Sequence, residues 1–328
     1  MSMLRPCALN SHPLFHKRYI LATPAIDQFY SQVQGVIRHR IPGMIVTAVT
    51  RYGKTYAIRY ICTKLRTSMP GVVVVDFDCR GDIAPKRGDF YSRLLYALKH
   101  EDALVGKMID KEIRLINRVL EALFDSKQKI ILVFADEAQN LSVEEYRWLT
   151  WLSNEVERNG FRMITFLVGQ PQLLHQKAAL KRSGEAQIVG RFMIEEHRFK
   201  GVASREDAAA CLMAYDRTYF PMESDWSYTR FCLPEQWAGG YRCVQDTEII
   251  WNAFEAVSPE ISRGRDLEIP MTYFSRAVEI ALLYDCIDAE GKESKLTSAR
   301  WAMAVEACGF KNAQEDVLSA IENDRRSK

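Results

Sequence analysis

Short apolar segments that alternate with helical periods constrain the fold of this chain more than any other feature. Five segments are predicted as strands, and they are GMIVTAV (43–49), VVVVDFD (72–78), KIILVFADE (129–137), RMITFLVG (162–169) and RFMIEEHRF (191–199). Continuously apolar strands are typical of a parallel sheet that is covered on both faces. The alternation therefore predicts an α/β fold with a parallel five-stranded sheet.

Helical periods fill the intervals between the predicted strands and the rest of the chain. Helices are predicted from Pro24 to about Arg40 and over 54–69, 88–100, 105–126 and 142–159, the last with Ser142 and Glu145 as a capping box. From residue 204 onwards only helices are predicted, over 204–219, 229–238, 242–257, 270–287, 295–308 and 312–324. These patterns predict four parts: an N-terminal extension (1–40), an α/β domain (41–200), a helical lid (201–290) and a C-terminal helical tail (291–328).

The segment TAVTRYGKT (47–55) ends the first predicted strand and opens a predicted helix. Phosphate-binding loops follow the pattern G-x-x-x-x-G-K-[ST], in which backbone N–H groups surround phosphate oxygens. Here Ala48 replaces the first glycine, at the strand exit, where a methyl group is tolerable. The predicted phosphate cradle consists of Ala48, Val49, Thr50, Arg51, Tyr52 and Gly53. We expect Lys54 to reach the β- and γ-phosphates and Thr55 to bind Mg²⁺, although Gly-Lys-Thr also occurs in ordinary loops.

Two adjacent acids, Asp136 and Glu137, follow the third predicted strand. At such a position the first acid holds Mg²⁺, and the second orients and deprotonates the attacking water. The alternative interpretation is a strand end followed by a solvated turn. Because the acids follow a phosphate-loop candidate in an alternating α/β pattern, the two motifs together predict a site for ATP and Mg²⁺.

The order of DEAQNL, a helix and LVGQPQL resembles the AAA+ ATPases of the TnsC/TniB group, which regulate DNA transposition, in CRISPR-associated transposons among others. The similarity extends from Gly43 to Leu282, and the related ExeA secretion group shares it. Alanine in place of the first loop glycine is the departure from the pattern. The resemblance implies a P-loop AAA+ core followed by an all-helical lid.

The resemblance also implies roles for three residues outside the two motifs. Gln170 would sense the γ-phosphate, Arg191 would act as an arginine finger in a neighbouring subunit, and Arg242 in AGGYR would contact phosphates from the lid. Arg182 and Arg198 are alternatives for the finger. The competing interpretations are a strand-ending turn, a surface ion pair and an exposed helix start. An arginine that acts in trans implies self-assembly into a ring or a filament.

Two basic features are candidates for contact with double-stranded DNA. The loop CRGDIAPKRGDF contains Arg80, Lys86 and Arg87, and the helix after it has a row of cations at helical spacing, which are Lys107, Lys111, Arg114 and Arg118. Acidic residues are interspersed in that helix, which favours a solvated amphipathic helix. No helix-turn-helix or zinc finger is evident, so we expect contacts with the phosphate backbone.

The net charge of +2 excludes a general polycation, and none of the eight cysteines forms a C-x-x-C pair. We therefore expect reduced thiols, neither zinc nor disulfides, and a cytoplasmic protein without a membrane segment.

The resemblance implies an ATPase that assembles on duplex DNA and recruits transposase subunits to a target chosen by a target-selection protein. The tail from Lys311 to Lys328 would meet the transposase. Three alternatives remain: a nucleotide-stabilised scaffold with vestigial hydrolysis, a secretion ATPase of the ExeA group, and a helicase or helicase loader. A secretion ATPase should have a membrane segment and a wall-binding module, for which the sequence shows no pattern.

Overall fold

A five-stranded sheet with the strand order β2-β3-β4-β1-β5 organises residues 28–199 in the computed structural model of this protein. The structure describes residues 5–82, 84–258, 267–284 and 295–314. The strands are β1 (Gly43–Thr47), β2 (Val73–Asp78), β3 (Ile130–Asp136), β4 (Arg162–Gly169) and β5 (Glu195–Arg198). Every neighbouring pair is parallel, which confirms the predicted fold class.

The three central strands bring three chain segments to one edge of the sheet. Strands β3, β4 and β1 are neighbours, and their side chains are almost all buried. Thr47 pairs with Gly169 at the ends of β1 and β4, and Asp136 ends β3. Since the strands are parallel, the loops that follow all three leave from the same edge.

Seven helices belong wholly or mostly to residues 28–199, which we call the α/β unit. They are α2 (Pro24–Arg38), α3 (Lys54–Ser68), α4 (Arg87–Ala97), α5 (Met108–Asp125), α6 (Val143–Arg158), α7 (Gln172–Arg182) and α8 (Ala186–Phe192). The predicted capping box of α6 is present, since the Ser142 hydroxyl accepts from the Glu145 N–H and the Glu145 carboxylate accepts from the Ser142 N–H.

The predicted fifth strand is too long at its beginning. Residues 191 and 192 end α8, because Ile188, Val189 and Phe192 follow a helical period and are buried, and the strand begins only at Glu195. Helix α7 and the part of α8 before residue 191 occupy a stretch of sequence for which no element is predicted.

A second unit, here the helical unit, consists of residues up to 27 and from 200 onwards. Its helices are α1 (Pro13–His16), α9 (Arg205–Arg217), α10 (Tyr228–Cys232), α11 (Pro234–Ala238), α12 (Thr247–Val257), α13 (Met271–Glu279) and α14 (Ser298–Ala307). The C-terminal region is thus helical, as expected of a lid. Pro234 divides the helix predicted over 229–238 into two, because proline cannot donate within a helix.

The segments predicted nearest the C-terminus fall largely outside the described residues. Most of the helix predicted over 312–324 and most of the docking tail from Lys311 to Lys328 lie there. Within the described part of the chain, no helix combines the length and hydropathy that a membrane crossing requires.

Residues 5–27 pack within the helical unit. The Arg5 Nε donates to the Phe231 carbonyl at 2.8 Å, and the His12 ring stacks on the Phe231 ring at a centroid distance of 4.1 Å. The Tyr19 hydroxyl donates to the Glu279 Oε1 at 2.6 Å. Residues 5–27 are therefore part of the core of this unit, which local sequence patterns do not reveal.

Gly43 should be needed at the start of β1. A Cβ at this residue would lie 2.4 Å from the backbone of Phe192, so Gly43→Ala must displace β1 or α8. We expect a loss of about 2 kcal/mol or more in the free energy of unfolding, measured by denaturant titration. In the matched control Gly35→Ala, in α2, the new Cβ meets nothing within 4 Å, and the variant should gain about 0.5 kcal/mol. Equal effects of the two substitutions would contradict the prediction.

His12 should make the stability of the protein depend on pH below neutrality. Burial lowers the pKa of His12 to about 4, and its Nδ1 accepts from the Leu14 N–H at 3.2 Å. The unfolded chain binds the proton near pH 6.5, so this contribution is complete above that pH and decreases as the pH falls to about 4, by roughly 3 kcal/mol in all. Thermal unfolding of His12→Asn should show a flatter pH dependence in this window. The exposed-site control His39→Asn should keep the wild-type slope.

Candidate nucleotide site

The loop after β1 begins as an extension of the sheet. The Ala48 N–H donates to the Gly169 carbonyl at 3.0 Å, and the Ala48 side chain is buried. The positive φ angles of the loop occur at Arg51 (71°) and Gly53 (92°), and Ala48 has none. An L-residue is therefore unstrained at the position where the phosphate-loop pattern has its first glycine.

Lys54 is the first residue of α3 and has a buried side chain. Its Nζ donates to the carbonyls of Ala48 at 3.2 Å and Val49 at 3.4 Å, and it lies 3.9 Å from the Glu137 Oε1. Burial lowers the pKa of Lys54, while the charges of Glu137 and Asp136 act in the opposite direction. The amino end of α3 adds backbone N–H groups beside this ammonium group, so the loop offers the donors that phosphates need.

Thr55 and Asp136 meet although they are 81 residues apart in the sequence. The Thr55 Oγ1 donates to the Asp136 Oδ2 at 2.6 Å, and the Asp136 Oδ1 accepts from the Glu137 N–H at 2.9 Å. Burial raises the pKa of Asp136, and these two hydrogen bonds oppose the increase. A hydroxyl and a carboxylate in contact form the oxygen-only ligand set that Mg²⁺ prefers, so these two residues fit the predicted metal.

Glu137 lies between Lys54 and Gln170. Its φ of 52° turns the chain away from β3. Its Oε2 accepts from the Gln139 Nε2 at 2.6 Å and from the Gln170 Nε2 at 3.3 Å. The structure thus brings together Lys54, Thr55, Asp136, Glu137 and Gln170 at the carboxyl edge of the sheet. Gln139 was not singled out from the sequence, although a polar residue two positions after a candidate base was a possible signal.

Arg191 ends up on α8 rather than on β5. Its Nη1 donates to the Ser153 Oγ at 2.6 Å and lies 3.3 Å from the Glu157 Oε1, so α6 holds the side chain. Arg182 ends α7 and Arg198 ends β5. The action of any of these arginines on a neighbouring subunit stays a prediction.

Arg242 belongs to the helical unit, where its guanidinium group lies over the Trp237 ring, 3.4 Å from the centroid. Its Nη1 also donates to the carbonyls of Trp237 and Tyr241, at 3.2 and 2.6 Å. The Asp216 carboxylate fixes the following turn by accepting from the N–H groups of Cys243 and Val244. Contact between Arg242 and a phosphate stays a prediction.

The loop after β2 borders an open cleft of about 350 Å³. The cleft is lined by three cations, two acids and an alanine, which are Arg80, Lys86, Arg93, Asp82, Asp89 and Ala84. Arg80 and Lys86 are exposed, whereas Arg87 forms an ion pair with Glu112 at 2.8 Å. Of the basic loop residues predicted to contact DNA, two therefore remain available at the surface.

The basic residues of α5 do not form one exposed stripe. Lys111 shares the buried face of this helix with Leu115 and Val119, which lie one and two turns further on, so the interpretation of this lysine as a surface contact does not hold. Arg114 donates to the Asp102 carbonyl, and Arg118 pairs with Glu121 at 2.9 Å. The four cations of this segment are spaced four, three and four residues apart, and one of them, Lys111, lies on the face of α5 that packs inwards.

Comparison with known proteins identifies the fold. Residues 39–176 match the family model described as AAA domain. The structure is similar to the Aeropyrum pernix ORC2 protein in ADPNP–ADP complexes, with a TM-score of 0.60 and 14% identity over 90% of this chain and 71% of that chain. The ADP form of that protein has a TM-score of 0.58 and 14% identity, with coverages of 91% and 73%.

Domain III of the Thermotoga maritima replication initiation protein DnaA is a more distant neighbour, with a TM-score of 0.49, 13% identity, and coverages of 90% of this chain and 96% of that chain. No curated protein sequence matches this chain. The α/β unit thus has the P-loop AAA+ fold, and residues 39–176 are similar to the AAA domain family model. The comparisons identify this fold, and membership of the TnsC/TniB group stays a prediction.

Thr55 should determine whether magnesium strengthens ATP binding. Thr55→Ala removes one of the two oxygens proposed to bind Mg²⁺, and Lys54→Ala removes the cation at the phosphates. By calorimetry we expect Lys54→Ala to weaken ATP binding by roughly tenfold or more, and Thr55→Ala to lose the increase in affinity that Mg²⁺ causes. Thr63→Ala is the matched control on the same helix, because the Thr63 hydroxyl donates only to the Arg59 carbonyl of its own helix. Full magnesium dependence in Thr55→Ala would remove this residue from the metal site.

Proposed function

We propose that this protein is an ATP-hydrolysing regulator of DNA transposition that assembles on double-stranded DNA. One observation supports the ATPase part above all others. A cation, a hydroxyl, two carboxylates and an amide converge at the edge of one sheet, and they belong to Lys54, Thr55, Asp136, Glu137 and Gln170. The similarity to the Aeropyrum pernix ORC2 protein, which was solved with ADPNP and ADP, supports nucleotide binding.

Each group has a distinct part in the proposed reaction. The Lys54 ammonium group and the amino end of α3 bind the β- and γ-phosphates, in place of the loop carbonyls that Lys54 contacts in this structure. Thr55 and Asp136 would hold Mg²⁺, which would neutralise charge on the phosphate oxygens. Glu137 orients and deprotonates the attacking water, and the Gln170 amide helps to position it.

A trans arginine would couple the reaction to assembly. Arg191 reaches the site of a neighbouring subunit in the proposed ring or filament and stabilises the charge that develops on the γ-phosphate. In the helical unit, Arg242 is the proposed second cation for the phosphates. Turnover therefore depends on subunit contacts, and hydrolysis takes the assembly apart.

The cleft after β2 is the proposed contact for DNA phosphates. Arg93 is only 12% exposed, its Nη2 pairs with Glu145, and its Nη1 has no acceptor among the residues that the structure describes. This Nη1 is itself buried, so a phosphate oxygen in the cleft would meet the exposed cations Arg80 and Lys86. Contacts of this kind recognise the backbone of the duplex and not its sequence.

The net charge of one cleft is small, because Asp82 and Asp89 share it with the three cations. A single subunit should therefore bind DNA weakly, and several subunits side by side should bind it strongly. This arrangement suits a protein that assembles along DNA. The resemblance to the TnsC/TniB group is what assigns the assembly to transposition, with transposase subunits and a target-selection protein as its partners.

Duplex DNA should increase the rate of ATP hydrolysis and the size of the assembly together. Turnover by the wild-type protein should rise when duplex DNA is added, and Glu137→Gln should lower it by about a hundredfold while ATP still binds. Unchanged turnover in Glu137→Gln would favour a nucleotide-stabilised scaffold in which hydrolysis has no function.

Variants of the cleft residues test whether duplex DNA stimulates turnover through the cleft after β2. Arg80→Ala combined with Lys86→Ala should abolish the stimulation by DNA and leave basal turnover intact, whereas Lys127→Ala, in the loop that precedes β3, should behave as the wild type. Binding should weaken steeply with salt. Salt-insensitive binding would contradict phosphate recognition. A strand-transfer assay with the cognate transposase then tests the assignment to transposition. The assignment fails if this protein and ATP change neither the yield of strand-transfer product nor the choice of target DNA.

A further inference from the structure

The side chain of Gln139 connects two parts of the proposed ATPase site that the sequence motifs treat separately. Its Nε2 donates to the Glu137 Oε2 at 2.6 Å, and its Oε1 accepts from the Gln170 N–H at 2.9 Å. A carboxylate can only accept and a backbone N–H can only donate, so the amide of Gln139 has one possible orientation. The candidate base is thus joined to the end of β4 through one side chain.

Gly169 provides the space that Gln139 occupies. A Cβ on Gly169 would lie 2.4 Å from the Gln139 Oε1 and 3.2 Å from its backbone N. Gly169 ends β4, pairs with Thr47 of β1, and accepts from the Ala48 N–H at 3.0 Å. The close approach of Gln139 therefore couples the acid pair to the strand end that lies beside the phosphate loop.

The backbone of Gln139 is held on its other side as well. It lies in a single 3₁₀ turn, Ala138–Asn140, that follows the left-handed residue Glu137. The Asn140 Nδ2 donates to the Cys79 carbonyl at the end of β2, at 3.1 Å, and Ala138 is fully buried. The amide of Gln139 thus extends from a fixed turn, which is what a side chain needs in order to position another group.

We propose that Gln139 is a positioning residue for the general base. It holds the Oε2 of Glu137 and thereby leaves the Oε1 directed towards Lys54, 3.9 Å away, on the side where the phosphates bind. Without it, the Oε2 of the one-third exposed Glu137 side chain keeps only the longer hydrogen bond from the Gln170 Nε2, at 3.3 Å, and is held less firmly. Gln139 also accepts a hydrogen bond from the Gln170 N–H, directly after β4. A displacement of Gln170, the proposed γ-phosphate sensor, is therefore passed through Gln139 to Glu137, the proposed base. This inference rests on the proposed ATPase function.

Gln139→Met tests the inference, because methionine has a similar length and cannot form either hydrogen bond. In single-turnover measurements with duplex DNA present, we expect the rate of hydrolysis to fall about tenfold or more, while the dissociation constant for MgATP stays within about twofold. Gln176→Met is the matched control. Gln176 also makes two hydrogen bonds, to the Leu141 carbonyl and from the Tyr146 hydroxyl, but outside the site, so its rate should stay at the wild-type value.

A double-mutant cycle tests the coupling to β4. Gly169→Ala alone should lower the rate about tenfold, because the new Cβ displaces the Gln139 amide. In the background of Gln139→Ala, only the tight backbone contacts remain, 3.2 Å to the N of residue 139 and 3.3 Å to the N of Ala138, so the same substitution should cause a clearly smaller loss. Additive losses, or equal losses in rate and in nucleotide affinity, would show that Gln139 only supports the fold and would overturn the inference.

Glu137→Gln distinguishes a failure of the proposed ATPase function from a failure of the proposed role of Gln139. If Glu137→Gln abolishes turnover and Gln139→Met does not change the rate, the ATPase function stands and the role of Gln139 is refuted. If Glu137→Gln leaves turnover unchanged, the proposed function fails, and the positioning of a base fails with it.

Discussion

The adjacency of β3, β4 and β1 in one parallel sheet is the constraint on which the proposed site depends. It lets the Thr55 hydroxyl reach the Asp136 carboxylate at 2.6 Å across 81 residues of sequence, and it places Gln170 directly after the intervening strand β4. No loop has to be long or flexible for this, because all three segments leave the sheet at the same edge. The strand order therefore determines which functional groups meet at the site.

Charge balance at that edge explains why nucleotide and metal should bind together. The buried ammonium group of Lys54 faces two carboxylates, those of Asp136 and Glu137, and burial alone shifts the pKa of Lys54 downwards and that of Asp136 upwards. A triphosphate without a metal would meet the two acids with only one buried cation between them. A divalent ion held by Thr55 and Asp136 would remove this repulsion, and the phosphates would in turn offset the charge of the ion.

The parts of the structure that sequence could predict are those that local patterns determine. The central strands are continuous apolar runs, Lys54 ends the short loop after β1, and Asp136 is the last residue of β3, so the sequence pattern predicts strand, loop and acid together. Lys111 and residues 5–27 could not be placed in the same way. Their environments depend on which helix face packs inwards and on contacts with residues about 200 positions away, such as that of Arg5 with Phe231. Gln139 was missed because its role depends on the side-chain space above Gly169.

Ala48 shows why a motif should be judged by backbone conformation rather than by its letters. The first loop position still forms a hydrogen bond with the sheet, so its φ is one that any L-residue adopts. The left-handed conformations occur at Arg51 and Gly53, and only the second of these is a glycine. Arg51 therefore holds a conformation that costs a non-glycine residue about 1 kcal/mol, and it does so within the proposed phosphate cradle. The conformational requirement of the loop lies at its turn, while the strand exit accepts a methyl group without strain.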